Sequence, residues 1–87
     1  MFRGIDAMIR DNKYKHKDKY IRIGLNIALN RKLKDMTQGE LAEAIGISRT
    51  HMSNIEAPNK ITPVSLEVIF DIAEVLQIQP EVLFKME

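Results

Sequence analysis

The chain contains no cysteine among its 87 residues, and it has no long apolar run. The first absence excludes disulfide bonds, thiolate metal sites and a cysteine nucleophile. No apolar stretch approaches the roughly 20 residues that a membrane-spanning helix needs. The N-terminus also lacks the apolar core of a signal peptide. The sequence therefore predicts no membrane segment, and we expect the cytoplasm as its compartment.

The residue patterns typical of enzymes are missing as well. No paired carboxylates flank a histidine at catalytic spacing, and no glycine-rich loop is present to hold a phosphate. A small helical domain also offers little pocket volume. His16 and His51 have no acidic ligand set beside them, so the sequence indicates no metal site. We expect a protein that is not an enzyme and that needs no cofactor or small-molecule ligand.

Charge is distributed unevenly along the chain, although the formal net charge is only +1. Residues 1–36 hold ten Lys or Arg and four Asp, whereas residues 37–87 hold three Lys or Arg and eight Asp or Glu. Such asymmetry favours a basic face near one end of the fold. Two solvated helix faces of opposite sign would give the same pattern, so charge alone does not identify a polyanionic partner.

The most informative pattern lies between Thr37 and Glu56, where the sequence predicts two short helices joined by a tight turn. Thr37 with Glu40 three residues later is a capping box, and apolar residues follow at helical spacing. Gly46 stands at the turn, where glycine adopts a left-handed backbone at little cost. Ser48 is a good N-cap for the second helix.

The second helix has one apolar side and one polar side. Met52 and Ile55 recur at helical spacing and predict the buried side. The opposite side is rich in hydrogen-bonding groups, which suit contacts with base edges in a DNA major groove. These outward-facing residues are Arg49, Thr50, His51, Ser53 and Asn54.

Further helices are predicted on both sides of this pair. One begins near Asp18 as its N-cap and contains Gly24, which a close helix–helix contact would explain. Thr62-Pro63 and Gln79-Pro80 each predict an N-cap followed by proline, the favoured start of a helix. No window alternates apolar and polar residues as a strand would.

The predicted architecture is a compact all-α domain of five helices with short connections. It covers residues 19–87, and its length suits one small domain. Residues 1–18 form an N-terminal extension with two alternative structures. The extension is either a flexible basic arm or a short helix that packs on the domain or on a partner.

These patterns together resemble the phage repressor/Cro family of helix-turn-helix DNA-binding domains, also called the Xre family. The resemblance implies a lambda-repressor-like bundle that binds DNA sequence-specifically, and it extends over residues 19–84. The matching residues are Ile23-Gly24, Ile27, Arg31, Thr37-Gln38, Leu41-Ala42, Gly46-Ile47-Ser48, Met52, Ile55-Glu56, Ser65-Leu66, Ile72-Ala73, Leu76 and Leu83.

The resemblance implies a role for individual polar residues. Gln38 would contact the DNA backbone and position the second helix, and Ser48 would meet a phosphate. Arg49 and Thr50 would reach bases from the first turn of that helix. Asn54 would contact a base or the backbone one turn later.

Other features that follow from the resemblance concern structure rather than DNA contact. In some members an arginine and a glutamate at the positions of Arg31 and Glu56 form an ion pair. Asn30 occupies a position that is more often apolar, which predicts looser packing or a hydrogen bond from the amide. Ala57-Pro58 replaces the common X-Gly pair, which changes how the second helix ends and where Asn59-Lys60 point.

Several of these side chains have alternative interpretations. Arg49 is the strongest candidate for a base contact, because bidentate arginine–guanine contacts contribute about 1–3 kcal/mol of discrimination; a phosphate contact is its alternative. Asn54 contacts adenine or hydrogen-bonds near its helix end, and Thr50 contacts a thymine methyl or a phosphate.

His51 contacts DNA or is only solvated. Lys60 and the lysine cluster contact phosphates or only add solubility; the cluster is Lys13, Lys15, Lys17 and Lys19.

The sequence thus predicts a sequence-specific regulator of transcription whose partner is double-stranded DNA, with residues 48–56 in the major groove. Such a regulator could be a prophage or mobile-element repressor, a restriction–modification controller or an antitoxin that represses its own operon. The alternative is a protein-interaction module that keeps the same fold. The candidate DNA-binding residues are Gln38, Ser48, Arg49, Thr50, His51, Ser53, Asn54 and Lys60.

A homodimer through the C-terminal helices is also predicted. The apolar side chains near the C-terminus exceed what so small a core needs, and they would be partly exposed in a monomer. They are Phe70, Val82, Leu83, Phe84 and Met86. A dimer of this kind would bind a near-palindromic operator with half-sites about 34 Å apart.

Overall fold

The computed structural model describes residues 15–87, and within that range it contains helices and no strand. The α-helices are α1 (Lys17–Leu33), α2 (Gln38–Ile45), α3 (Arg49–Glu56) and α4 (Leu66–Leu76). A 3-10 helix, Pro80–Phe84, follows them. The all-α class is therefore confirmed. The last of the five expected helices is a short 3-10 helix rather than an α-helix.

One apolar core holds these elements together. α1, α3 and α4 each contribute apolar residues that recur every three or four positions along one side of the helix. α2 adds Leu41 and Ala42. Leu83 of the 3-10 helix closes the core and is fully buried, so it does not belong to an exposed dimer surface. The core residues are Ile23, Ile27, Leu41, Ala42, Met52, Ile55, Ile69, Ile72, Ala73, Leu76 and Leu83.

α1 crosses α3 at Gly24, where the two backbones come into direct contact. A Cβ atom at Gly24 would lie less than 3.0 Å from the carbonyl oxygen of Ile55, a separation that real Cβ atoms essentially never show. Glycine inside a helix costs about 1 kcal/mol relative to alanine. The close crossing requires glycine at this position despite the cost, as the sequence predicts.

The predicted start of α1 is wrong by a small margin. The helix begins at Lys17, after His16, and no side chain caps its first N–H groups. The backbone N–H groups of Lys19 and Tyr20 donate to the His16 carbonyl at 2.9 and 3.2 Å, which sets the first turn. Asp18 lies inside that turn, where a carboxylate interacts favourably with the helix dipole.

The predicted start of α4 at Thr62-Pro63 is also wrong. α4 begins at Leu66, and the hydroxyl of Ser65 caps it by accepting a hydrogen bond from the Val68 N–H at 3.2 Å. A proline favours an extended backbone in the residue before it. Residues 61–65 form no helix, and Val64 within them packs against the core.

The predicted N-terminal extension lies almost wholly outside the described residues. Lys17 and Asp18 belong to α1, and residues 1–14 are not described, so the choice between an arm and a short helix stays a prediction. None of the helices within residues 15–87 combines the length and the apolar character that a membrane crossing requires.

Candidate nucleic-acid interface

The helix pair α2 and α3 is shaped by three local features that the sequence predicts correctly. The Thr37 hydroxyl accepts a hydrogen bond from the Glu40 N–H at 3.0 Å, while the Thr37 N–H donates to the Glu40 carboxylate at 2.8 Å. Gly46 has a φ of 78°, in the left-handed region. The Ser48 hydroxyl caps α3 by accepting from the His51 N–H at 3.0 Å. The capping box sets the start of α2, while Gly46 and Ser48 set the start of α3 relative to α2.

The capping box also has an electrostatic consequence. Hydrogen bonds from the backbone N–H and the hydroxyl of Thr37 lower the pKa of the Glu40 carboxyl below its ordinary value. Glu40 is therefore ionised at neutral pH in the first turn of α2. A negative charge at this position interacts favourably with the positive end of the helix dipole.

α3 has the two sides that its sequence predicts. Met52 and Ile55 are buried in the core, and Glu56 is buried as well. Most of the predicted DNA-binding residues lie on the other side and are exposed, whereas Asn54 is half-buried. The exposed members are Ser48, Arg49, Thr50, His51 and Ser53.

Arg49 lies where the start of α3 meets the start of α2. A Cβ atom built at Gly39 would be 3.8 Å from Cδ of Arg49, so the arginine stem passes over the first turn of α2. The N–H groups at the start of a helix lack partners within the helix. Arg49 therefore adds a positive charge beside the first turn of α2.

Glu56 at the end of α3 accepts three hydrogen bonds from two other elements. Nε and Nη2 of Arg31 donate to its two carboxylate oxygens, both at 2.8 Å, which confirms the predicted ion pair. Nη1 of Arg31 donates to the carbonyl of Met36 at 2.7 Å. The hydrogen bond to Glu56 raises the pKa of Arg31, while burial opposes the rise. The pair therefore ties α1 to α3.

The third hydrogen bond to Glu56 comes from Gln38, and sequence reasoning missed it. Nε2 of Gln38 donates to Oε1 of Glu56 at 2.9 Å. A carboxamide has two N–H donors and one carbonyl acceptor, so one N–H and the oxygen of Gln38 remain available. No local pattern indicates this bond, because its partners lie 18 residues apart and meet only in the folded domain.

The end of α3 reflects the pair Ala57-Pro58, which replaces the common X-Gly pair. Ala57 has an extended backbone, with φ −74° and ψ 122°, instead of the left-handed conformation that glycine provides. Lys60 is exposed in the turn that follows, and its N–H donates to the Ala57 carbonyl at 3.2 Å. Lys60 thus lies beyond the C-terminal end of α3, apart from the residues near the start of that helix.

The remaining polar residues of interest lie on α1 or just before it. The amide of Asn30 donates a hydrogen bond to the Asn26 carbonyl at 2.8 Å. This confirms the hydrogen bond that was one of the two alternatives predicted for Asn30. Lys15, Lys17 and Lys19 are exposed, and Lys13 lies outside the described residues. Nδ1 of His16 is 3.2 Å from Nζ of Lys19. Within residues 15–87 no group of three His, Asp or Glu side chains could hold a metal ion.

Comparison with known proteins identifies the family. The family model described as Helix-turn-helix matches residues 27–83. No curated protein matches the chain. Among solved structures, the chain is similar to the restriction-modification controller protein C.AhdI from Aeromonas hydrophila, with a TM-score of 0.68 and 29% identity. The match covers 75% of this chain and 96% of that one.

The matched segment begins in α1 and ends at Leu83, so it contains α2, the turn, α3, α4 and most of the 3-10 helix. The residues that carry the predicted resemblance lie mostly inside it. The chain therefore belongs to the Xre-like helix-turn-helix family of DNA-binding transcriptional regulators.

Proposed function

We propose that this regulator binds DNA sequence-specifically and places α3 in the major groove. Arg49, Thr50 and Asn54 contact base edges in this proposal, and Gln38 and Ser48 contact the backbone. His51, Ser53 and Lys60 contribute phosphate contacts. The single observation that carries the proposal is the polar, exposed side of α3, which is held outward by the burial of Met52 and Ile55.

The donors that remain free support the division between base and backbone contacts. The Ser48 hydroxyl accepts one hydrogen bond from the helix, so its own hydrogen is available to a phosphate oxygen. Gln38 likewise keeps one N–H after its bond to Glu56. Arg49 has a planar group that fits O6 and N7 of guanine. Phosphate contacts fix the orientation of a protein on DNA, and base contacts provide specificity.

The similar structure supports one biological setting among the predicted ones. C.AhdI is a restriction-modification controller protein, and the match covers nearly all of that chain. We propose that this chain regulates transcription in a comparable way. Control of a restriction–modification system is one candidate, and repression in a prophage or in a toxin–antitoxin operon are the others.

We also propose a homodimer, formed through the exposed C-terminal side chains Phe84 and Met86. Of the other side chains predicted for this surface, Leu83 is buried, Val82 is half-buried and Phe70 lies on α4. Phe84 and Met86 both follow Leu83, which anchors this segment in the core. A two-fold dimer would present two copies of α3 to successive turns of the groove, about 34 Å apart. Its operator would then be a near-palindrome.

Selection of bound sequences from a randomised pool of DNA duplexes tests the proposal. We expect a near-palindromic consensus and an affinity that falls linearly with salt on a log–log scale. Failure to bind any duplex at low salt would contradict the proposal and favour a protein-interaction module with the same fold.

Two variants distinguish base contacts from phosphate contacts, because one should change sequence preference and the other should weaken binding to every duplex. Arg49→Ala should lower affinity for the consensus by about 1–3 kcal/mol and relax the preference at one base position per half-site. Lys60→Ala should weaken binding to all duplexes alike and reduce the salt slope. Both side chains are exposed, so unchanged thermal unfolding serves as the folding control. A uniform loss with Arg49→Ala would make Arg49 a phosphate contact.

A further inference from the structure

The outer side of α1 carries a row of leucines that nothing in the described chain covers. Leu25, Leu29 and Leu33 recur every four residues and are 39%, 57% and 70% exposed. They lie on the opposite side of the helix from Ile23 and Ile27, which are buried in the core. Three leucines aligned in this way form a continuous apolar strip, unlike single apolar residues scattered over a surface.

Basic side chains flank this strip. Arg22 precedes Leu25 by one helical turn, and Lys32 lies one turn after Leu29. The only carboxylate in α1 is Asp18, in its first turn. We call Arg22, Leu25, Leu29, Lys32 and Leu33 the α1 face.

The outer side of α4 has the opposite charge. Glu67, Asp71 and Glu74 are spaced by four and three residues, so they line one side of a helix that contains no Lys or Arg. Leu66 and Phe70 run beside them and are 61% and 51% exposed. Within residues 15–87 none of these carboxylates forms an ion pair. We call Leu66, Glu67, Phe70, Asp71 and Glu74 the α4 face.

The two faces are similar in length and opposite in charge. The leucines of the α1 face span about 12 Å along the helix, and the carboxylates of the α4 face span about 10 Å. α1 and α4 both turn their other sides toward the core, through residues such as Ile27 and Ile72. Both faces therefore point away from the core of their own molecule. Each is open to contact with a second copy.

We propose that the α1 face of one copy binds the α4 face of a second copy, head to tail. The leucines pack against Leu66 and Phe70, while Arg22 and Lys32 approach the three carboxylates. A symmetric contact between two α4 faces is disfavoured, because it would oppose carboxylates of like charge. The proposed contact is heterologous, so it joins copies into rings or open chains rather than closing at two. It does not depend on DNA binding.

The expected strength follows from the size of the faces. Each apolar strip contains only two or three side chains, which is typical of weak, transient contacts. Exposed charges contribute less as salt increases. Association should therefore grow with protein concentration at low salt and weaken at high salt, beyond any dimer that forms through the C-terminus.

A charge-swap experiment on the whole chain tests the proposal. The first variant, Arg22→Glu/Lys32→Glu, makes the α1 face acidic, and the second, Glu67→Lys/Asp71→Lys, makes the α4 face basic. Each variant alone opposes like charges and should lose at least tenfold in association constant, measured by sedimentation velocity. An equimolar mixture restores opposite charges and should recover association to within threefold of the wild type.

Control variants change the net charge equally at other positions. Lys15→Glu/Lys19→Glu matches the first variant, since Lys19 lies one turn before the buried Ile23 and outside the α1 face. Glu43→Lys/Glu81→Lys matches the second. Both controls should associate within threefold of the wild type. Equal losses in the controls would indicate a net-charge effect and overturn the proposal.

The remaining outcomes also overturn it. A mixture that fails to recover association excludes contact between the two faces. A chain whose mass never exceeds that of a dimer at low salt has no heterologous contact. If residues 1–14 of the same chain cover the leucines, Leu29→Gln would lower thermal stability and leave association unchanged. Leu29→Gln should instead weaken association and leave the melting temperature within about 2 °C of the wild type.

Discussion

Glu56 is the residue at which α1, α2 and α3 are joined by hydrogen bonds. It accepts two bonds from Arg31 and one from Gln38, and both side chains of the ion pair are more than 90% buried. A buried ion pair is not by itself a large source of stability, because desolvation offsets the attraction. Removal of one partner is costly, since a buried charge is left alone.

Replacement of Arg31 by methionine should therefore lower the free energy of unfolding by about 3–5 kcal/mol. The single variant leaves the Glu56 carboxylate with Gln38 as its one remaining donor from these contacts. The double variant Arg31→Met/Glu56→Leu should be more stable than Arg31→Met alone, because it removes the buried charge. Urea unfolding monitored by circular dichroism measures both values.

The exposed substitution Lys19→Met provides the control for the loss of a positive charge in α1. It should change the free energy of unfolding by no more than about 0.5 kcal/mol. If the double variant is less stable than Arg31→Met, the hydrogen bond from Gln38 to Glu56 contributes more than the burial of the charge costs.

At this scale the sequence predicts some contacts and not others. The resemblance implies the Arg31–Glu56 pair, and the structure confirms it. The capping bonds of Thr37 and Ser48 are predictable because donor and acceptor lie three residues apart. The bond from Gln38 to Glu56 has no local pattern. The DNA contacts assigned to Gln38 and the residues of α3 stay predictions.

The helices themselves follow from local signals with two exceptions. Asp18 and Thr62-Pro63 are good starting signals in isolation, but α1 starts after His16 and α4 starts after Ser65. Both errors concern helix ends, where several residues can satisfy the free N–H groups. The core-facing periodicity of α4, through Ile69, Ile72 and Leu76, is unaffected by where the helix begins.

The packing of α1 on α3 depends on the absence of a side chain at Gly24. Gly24→Ala should lower the free energy of unfolding by about 1–3 kcal/mol, because the new Cβ meets the Ile55 carbonyl and the helices must separate. This loss should appear although alanine favours an isolated helix by about 1 kcal/mol. Since α3 carries the proposed base contacts, DNA affinity should fall as well.

Gly39→Ala is the matched control for the glycine substitution. Its Cβ would lie 3.8 Å from Cδ of Arg49, an ordinary contact distance, so this variant should be neutral or slightly stabilising. Thermal unfolding of the two variants separates the effects. Equal melting temperatures for both would show that α1 and α3 accommodate the added methyl group without cost.

At the scale of the described molecule, hydrogen bonds from one side chain link α1 to the C-terminal segment. Nδ2 of Asn26 in α1 donates to the carbonyl oxygens of Leu83 and Lys85, at 3.0 and 2.7 Å. The sequence predicts a final short helix that begins near Pro80 but not this bond, because its partners are 57 and 59 residues apart. It also leaves open which C-terminal side chains enter the core.

Asn26→Ala should release the C-terminal segment without unfolding α1. The substitution leaves the part-buried Leu83 carbonyl without its donor, which costs about 1–3 kcal/mol. Hydrogen exchange measured by NMR should show faster exchange at the Val82 N–H, which donates to Gln79 within this segment at 3.0 Å. Asn30→Ala is the matched control, since Asn30 donates only to the Asn26 carbonyl in its own helix. Equal exchange rates at the Val82 N–H in both variants would show that the burial of Leu83 holds the segment without help from Asn26. The proposed dimer surface at Phe84 and Met86 would then keep its shape in either variant.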